Sequence, residues 1–134
     1  MVNFDSIDDE IHDIPGCYYE FALRHVPNAM KAALEDAGVH LTDVDKIFMH
    51  QANAKLDHAV GERLYKLYGM KADLDQVMPM SIQWLGNSSV ATVPTLLDMV
   101  RKEKYQGHEV NEGDVLLFAS VGAGMNINAF VYRV

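Results

Sequence analysis

The stretch VLLFASVGAGMNINAFVYR, residues 115–133, decides the fold of this 134-residue chain. Its first part, residues 115–119, is an unbroken apolar run, which is typical of a strand buried on both faces. The Gly-Ala-Gly of residues 122–124 predicts a turn, since glycine adopts the backbone angles that tight reversals need. Residues 126–133 then predict a strand that returns beside the first one.

Helix-forming patterns occupy much of the chain before this hairpin. Apolar residues spaced three and four apart predict one helix over residues 19–37, a second over residues 53–68 and a third from residue 90 onward. Pro27 predicts a kink or a break in the first helix, because proline lacks the N–H that an inner helical position donates. We expect the second and third helices to present these apolar residues to the core: Leu56, Ala59, Val60, Leu64, Leu67, Val90, Val93, Leu97 and Val100.

Two further segments predict strands. Residues 46–50 form a short apolar run that indicates a buried strand, and residues 76–84 predict a weaker strand interrupted by Pro79. Helices that alternate with strands predict an α/β fold, with a mixed, mainly parallel sheet and helices packed on it.

Composition and charge narrow the class of protein. With 49% hydrophobic and 22% charged residues, the chain is typical of one folded domain rather than of a disordered protein. The net charge of −8 resides in residues 1–45, which carry ten acidic and two basic residues, whereas residues 46–134 carry nine of each. No basic stripe is present, so nucleic acid and anionic membranes are poor partners. We expect residues 1–16 to be an acidic, solvated leader and residues 17–134 to be the folded domain.

Three observations bear on the cellular compartment of the chain. The longest apolar run is far shorter than the roughly 20 residues that cross a bilayer, and no secretory signal is visible at the start. The single cysteine, Cys17, has no partner for an internal disulfide. These features favour the cytoplasm.

Three segments carry candidate functional residues, and each lies where a predicted strand ends or turns. His50-Gln-Ala-Asn53 follows the first strand; His50 fits a site or a core histidine bonded to backbone, and Asn53 fits the N-cap of the next helix. Residues 86–89, Gly-Asn-Ser-Ser, fit a site or a cap of the third helix. Residues 122–124 fit a plain hairpin turn or backbone N–H groups that face a substrate.

The order of these three segments resembles the C-terminal half of β-ketoacyl-acyl-carrier-protein synthase III, a condensing enzyme of the thiolase superfamily. The phrases at residues 19–23 and 111–114, Tyr-Glu-Phe-Ala-Leu and Asn-Glu-Gly-Asp, add to the resemblance. It implies a thiolase-like half, the C-terminal half of an αβαβα layered fold. It also implies the decarboxylative Claisen condensation of an acyl thioester with malonyl-acyl-carrier protein in fatty acid biosynthesis.

The resemblance implies roles for five residues. His50 and Asn87 would donate hydrogen bonds to the malonyl thioester carbonyl and stabilise the enolate that decarboxylation leaves. The backbone N–H of Ala123 would hold the acyl oxygen, Asn53 would contact the pantetheine arm, and Lys55 would help to dock the acidic carrier protein. Acyl-CoA and malonyl-acyl-carrier protein are then the substrates, and neither a cofactor nor a metal is implied.

The nucleophile is the main departure from the family pattern. The catalytic cysteine of such enzymes lies in an N-terminal half, and Cys17 matches no catalytic position, so we expect it to be structural or incidental. The chain is therefore expected to be a C-terminal fragment that is inactive alone, homodimeric when complete, and prone to self-association through an exposed apolar face. Smaller departures, at Trp84, at Val121 and over residues 126–128, reshape the expected pocket wall.

Other interpretations stay open at this point. A related acyltransferase or a ketosynthase of secondary metabolism would share the same motifs, and a non-catalytic module that binds a carrier protein would share the fold. A metal site on His50 and His58 is disfavoured, because no third ligand lies in register with them.

Overall fold

A computed structural model describes residues 17–102, 105 and 107–134, so the expected acidic leader lies outside the described residues. Single turns of 3-10 helix lie at Leu41–Asp43, Ser89–Ala91 and Ala123–Met125. The helices and strands follow in this order: α1 Cys17–Ala37, β1 Lys46–Met49, α2 Ala54–Leu67, α3 Leu74–Val77, α4 Ile82–Leu85, α5 Thr92–Arg101, β2 Val115–Gly122 and β3 Asn126–Arg133.

The strands form one three-stranded sheet in the order β1-β2-β3. β1 pairs with β2 in parallel, with Phe48 opposite Phe118, and β2 pairs with β3 antiparallel, with Ser120 opposite Asn128. The predicted hairpin and the mixed α/β sheet are therefore confirmed. The expectation of a mainly parallel sheet is wrong for the described residues, which form one parallel and one antiparallel pair.

Strand β2 is buried on both faces, as its continuous apolar sequence predicts. Its residues alternate between two core clusters. Leu117 and Ala119 point into the larger cluster, beside helices α1 and α2, whereas Leu116 and Phe118 point into the smaller one, beside helix α5. Helices therefore cover both faces of the middle strand.

Helix α1 is continuous across Pro27, so the expected break does not occur. Four apolar residues at a spacing of four, Ala22, Val26, Met30 and Leu34, are all fully or almost fully buried. Proline inside a helix costs about 3 kcal/mol. The helix residues before and after Pro27 pack on the same core, and their burial offsets this cost. Each fully buried large apolar side chain contributes about 1.5–3 kcal/mol.

Residues 76–84 do not form the expected strand. They contribute to two short helices, α3 and α4, which are separated by the buried residues 78–81. The reason is that side chains satisfy this backbone: Tyr105 Oη bonds to both the N–H and the carbonyl of Met80, and Gln51 Oε1 accepts from the N–H groups of Ser81 and Ile82. These backbone groups therefore have side-chain partners instead of a strand partner.

Two residues expected in the core are exposed. Leu67 is the last residue of α2, where the helix leaves the core, and its side chain is 43% exposed. Val90 lies in the 3-10 turn before α5 and is 92% exposed. The inner face of α5 is formed by Thr92, Leu96 and Val100, and their spacing of four leaves Val90 out of phase. The predicted core residues Val93 and Leu97 pack partly buried beside them.

A buried carboxylate lies between helices α1 and α2. Asp57 of α2 is 2% exposed, and among the described residues its Oδ2 has no hydrogen-bond partner. Burial raises the pKa of Asp57 to about 7, because a charged carboxylate is poorly solvated there. Burial and the charge of Asp57 together raise the pKa of Tyr18 at the start of α1.

Asp57 makes the stability of the chain depend on pH. An acid whose folded pKa exceeds its unfolded value binds an extra proton when folded, so its contribution to stability falls as pH rises between about 4 and 7. At pH 8 we expect Asp57→Asn to raise the free energy of unfolding by about 2–4 kcal/mol, and at pH 4 to change it little. Urea unfolding at both pH values measures this difference.

The matched control is Asp36→Asn, which removes an exposed carboxylate from α1. The expectation for Asp57 is wrong if its variant changes the stability equally at the two pH values.

Candidate active site

A cavity of about 890 Å³ lies at the carboxyl ends of β1 and β2. Its wall combines residues from five parts of the chain: Tyr18, His50, Ala52, Asn87, Ser89, Val90, Val93, Pro94, Phe118, Ala119, Ser120, Val121, Gly122, Asn126, Asn128 and Phe130. The structure therefore brings together His50, Asn87 and the beginning of the glycine turn, which the sequence separates by more than 70 residues.

His50 directly follows β1, and its backbone N–H donates to the carbonyl of Ala119 at 3.0 Å. This bond extends the pairing of β1 with β2 by one residue and fixes where the side chain leaves the sheet. The ring is partly buried, and burial lowers its pKa, so the imidazole is neutral at pH 7. Among the described residues none bonds to the ring, so the interpretation of His50 as a core histidine bonded to backbone is not supported.

Asn87 follows Gly86, which ends helix α4 with φ +63° and ψ −159°, a conformation that favours glycine. The Oδ1 of Asn87 accepts the N–H of Ser89 at 2.9 Å. Asn87 therefore forms an Asx turn directly before the 3-10 turn. Neither the 3-10 turn nor α5 has a side-chain cap, so the interpretation of residues 86–89 as a cap of the third helix is wrong. Because the oxygen is used by the backbone, the amide NH₂ of this exposed, cavity-lining side chain is the group available to a ligand.

The Gly-Ala-Gly segment forms the predicted turn between β2 and β3. Gly122 lines the cavity, Ala123 begins the 3-10 turn directly after it, and Gly124 has φ +71°. The turn therefore starts at the cavity wall, directly after the cavity-lining Gly122.

Asn53 is the N-cap of helix α2, as one of its two interpretations predicts. Its Oδ1 accepts the N–H of Lys55 at 2.9 Å and that of Leu56 at 3.4 Å. Asn53 and Lys55 are both exposed, and neither lines the cavity. The structure therefore separates these two residues from the group formed by His50, Asn87 and Gly122.

Sequence reasoning missed Gln51, which is 0% exposed directly beside His50. Its amide bonds to the backbone on two sides, to Met49 and to Ser81 and Ile82. The only sequence signal is a polar residue just after a buried strand. Of the departures from the family pattern, Val121, Asn126 and Asn128 do line the cavity, whereas Trp84 does not; it lies edge-on to Tyr105.

No group of three potential metal ligands occurs among the described residues. His58 lies in a separate surface depression with Glu62, Asp73 and Asp75, away from His50. In the part of the chain that the structure describes, no helix is both long and apolar enough to cross a membrane.

Residues 34–134 match the protein family described as 3-oxoacyl-[acyl-carrier-protein (ACP)] synthase III C terminal. The chain belongs to this family. The β-ketoacyl-[acyl-carrier-protein] synthase III of Latilactobacillus sakei is 32% identical over 118 residues, which are 86% of this chain and 32% of that protein. The protein of the same name from Porphyra umbilicalis is 33% identical over 116 residues, with the same two shares.

Solved structures of such synthases share the fold. The enzyme from Thermus thermophilus aligns with 90% of this chain and 34% of its own, with a TM-score of 0.77 and 28% identity. The enzyme from Aquifex aeolicus aligns with 87% of this chain, with a TM-score of 0.73 and 28% identity. The thiolase-like α/β fold is therefore confirmed, and the chain spans about a third of the length of these relatives.

The lowered pKa of His50 is directly measurable. We expect its ring to titrate below about 6.5, the value of an unperturbed histidine, because burial disfavours the imidazolium. An NMR pH titration of ring resonances measures this pKa, the His50→Gln variant assigns the signal, and the urea-unfolded chain provides the reference. A midpoint equal to that of the unfolded chain would contradict the burial that the structure gives to this ring.

The capping role of Asn53 predicts a specific pair of outcomes. Asn53→Ala should lower the free energy of unfolding by about 1 kcal/mol, since two N–H groups lose their acceptor. Asn53→Asp, the matched control, keeps the acceptor and should be as stable as the parent chain. Equal stability of the two variants in urea unfolding would show that the cap contributes nothing.

Proposed function

We propose that this chain is the C-terminal part of a β-ketoacyl-acyl-carrier-protein synthase III, which condenses an acyl thioester with malonyl-acyl-carrier protein in fatty acid biosynthesis. The observation that carries the proposal is the shared cavity of His50 and Asn87. Each contributes a neutral hydrogen-bond donor, an imidazole N–H and an amide NH₂ whose oxygen is already bonded. Membership of the synthase III family supports the same reaction.

The two donors fit the chemistry of decarboxylation. When malonyl thioester loses CO₂, the bond between the methylene carbon and the carboxylate breaks, and its electron pair moves toward the thioester oxygen. Two fixed donors stabilise that negative oxygen better than water does, because they need no reorganisation. The enolate carbon then attacks the acyl group on a cysteine, the carbon–carbon bond forms, and the cysteine leaves as a thiolate.

The backbone N–H of Ala123 is the proposed donor to the acyl oxygen during that attack. Its position at the beginning of the turn, directly after the cavity-lining Gly122, supports this role. The nucleophilic cysteine belongs to an N-terminal half of the enzyme, and Cys17, the first residue of α1, has no catalytic role. We propose that residues 17–134 form the C-terminal domain of a cytoplasmic homodimer and have no condensing activity alone.

Asn53 and Lys55 are the proposed contacts for the carrier protein and its pantetheine arm. Both residues are exposed at the start of α2, with Asn53 as its N-cap and Lys55 in its first turn, three and five residues after His50. The Oδ1 of Asn53 is used by the cap, which leaves its NH₂ for the pantetheine amides. Lys55 offers a solvated positive charge to an acidic carrier protein, an interaction that high salt weakens.

The N-terminal half is the proposed cover of the cavity. Large apolar side chains of β3 are exposed on the α5 face of the sheet, beyond the part that α5 covers. Phe130 is 55% exposed and Tyr132 is 56% exposed. Val90, at the cavity wall, is almost fully exposed. Exposed apolar side chains around a cavity support an interface there.

The proposal is tested in the complete enzyme, which is this chain joined to the half that carries the cysteine. His50→Ala and Asn87→Ala should each slow CO₂ release from malonyl-acyl-carrier protein by about 100- to 1000-fold, the usual effect of one lost oxyanion donor. Acylation of the cysteine, followed by mass spectrometry, should continue in both variants.

The control variants are His58→Ala and Asn28→Ala, which remove the same side-chain types outside the cavity. If His50→Ala and Asn87→Ala both release CO₂ at the parent rate, the proposed function is wrong.

A further inference from the structure

Gln51 joins the two segments that carry His50 and Asn87. It follows His50 in the chain, and its Nε2 donates to the carbonyl of Met49, the residue before His50, at 3.1 Å. Its Oε1 accepts the N–H of Ser81 at 2.9 Å and that of Ile82 at 3.2 Å. One buried side chain therefore spans from the end of β1 to the beginning of α4.

The connection continues from α4 to Asn87 through a short, hydrogen-bonded stretch. The carbonyl of Ser81 accepts the N–H of Leu85 at 3.0 Å, and that of Ile82 accepts the N–H of Gly86 at 3.0 Å. Asn87 follows Gly86 directly. The position of Asn87 relative to His50 therefore depends on where Gln51 holds the first turn of α4.

We propose that Gln51 is a positioning residue that sets the separation between the His50 and Asn87 donors. This rests on the proposed function, in which both donors bind one developing oxyanion. Gln51 has no contact with the cavity and acts only through these two residues.

A role in filling space does not account for the chemistry of this side chain. Methionine has a similar length and shape, yet the amide oxygen accepts two N–H groups, and the NH₂ donates to the Met49 carbonyl and to Met80 Sδ. A fully buried amide is costly unless its atoms are bonded, and here both ends of the amide are bonded. Loss of these bonds frees both segments, and a misplacement of about 1 Å in a catalytic group costs roughly 100-fold in rate.

Tyr105 offers a matched control, because it holds the same segment without reaching β1. Its hydroxyl bonds to the N–H and the carbonyl of Met80, next to Ser81. Tyr105→Phe therefore loosens the anchor of residues 80–82 and leaves the link from Gln51 to Met49 in place.

The test uses the complete enzyme and compares two rates, CO₂ release from malonyl-acyl-carrier protein and acylation of the cysteine. For Gln51→Met we expect kcat for CO₂ release to fall about 100-fold. The KM for malonyl-acyl-carrier protein and the acylation rate should stay within about threefold of the parent values, since the proposed contacts of the pantetheine arm and the carrier protein, Asn53 and Lys55, are unchanged. Tyr105→Phe should change the ratio of the two rates by less than about twofold, even where it lowers the melting temperature.

Gln51→Glu provides a second measurement, the pH dependence of kcat, which would not change if Gln51 only stabilised the fold. The carboxylate keeps the acceptor for Ser81 and Ile82, but its second oxygen faces the carbonyl of Met49 and repels it. Protonation turns that oxygen into a donor and restores the glutamine pattern. Relative to the parent enzyme, kcat of Gln51→Glu should therefore rise as pH falls, whereas kcat of Gln51→Met should show no such recovery.

The outcomes separate the two proposals. If His50→Ala and Asn87→Ala are slow while Gln51→Met and Gln51→Glu release CO₂ as fast as the parent, the positioning role is wrong and the proposed function stands. If the His50 and Asn87 variants are as fast as the parent, the proposed function itself fails. If Gln51→Met does not fold, the pH profile of Gln51→Glu tests the positioning role. A ratio of variant kcat to parent kcat that does not change with pH overturns that role.

Discussion

The burial of strand β2 on both faces is the constraint on which the rest of the structure depends. An apolar strand of this kind needs a layer of helices on each side and a hydrogen-bonded neighbour along each edge. Helices α1 and α2 provide one layer, α5 provides the other, and β1 and β3 pair with the two edges. The parallel pairing with β1 then places His50 beside Ala119, and the antiparallel pairing with β3 places the glycine turn at the same end. The cavity is thus a consequence of how one strand is buried.

The amide side chains of residues 50–53 and 86–89, the two segments that carry His50 and Asn87, satisfy the backbone first. Asn87 and Asn53 each use their side-chain oxygen to accept backbone N–H groups, and Gln51 uses its oxygen for two more. In an asparagine this leaves the NH₂ group, so a side chain whose oxygen is held by the backbone becomes a fixed donor on its other side. An asparagine whose oxygen is bonded to the backbone is therefore suited to bind a negative oxygen, and the Asx turn at Asn87 is compatible with its proposed role. His50 adds a second neutral donor, because burial of its ring disfavours the charged imidazolium.

The parts of the fold that depend on local pattern could be predicted from the sequence, and those that depend on distant contacts could not. Continuous apolarity and helical spacing were sufficient for β2, for α1 and for α2. The failure at residues 76–84 has a tertiary cause, since Gln51 and Tyr105 bind that backbone from 25 or more residues away. The candidate residues of the proposed site rest on motif order and the resemblance it carries, because His50 and Asn87 have adequate local explanations when each is considered alone. Gln51 was missed for the same reason: nothing in its neighbours shows that its side chain turns inward.

The uneven cover of the sheet bears on how the proposed donors work. Phe48, Phe118 and Phe130 stack in a row across the three strands, with ring centroids 5.3 and 4.8 Å apart. Helix α5 covers the first two rings, whereas Phe130 stays more than half exposed at the cavity wall. Hydrogen bonds to a developing oxyanion are worth far more where water is excluded, because water competes for the same oxygen. In the proposed function, the donors His50 and Asn87 are therefore positioned by this chain, while their catalytic effect depends on the partner surface that closes the cavity over Phe130.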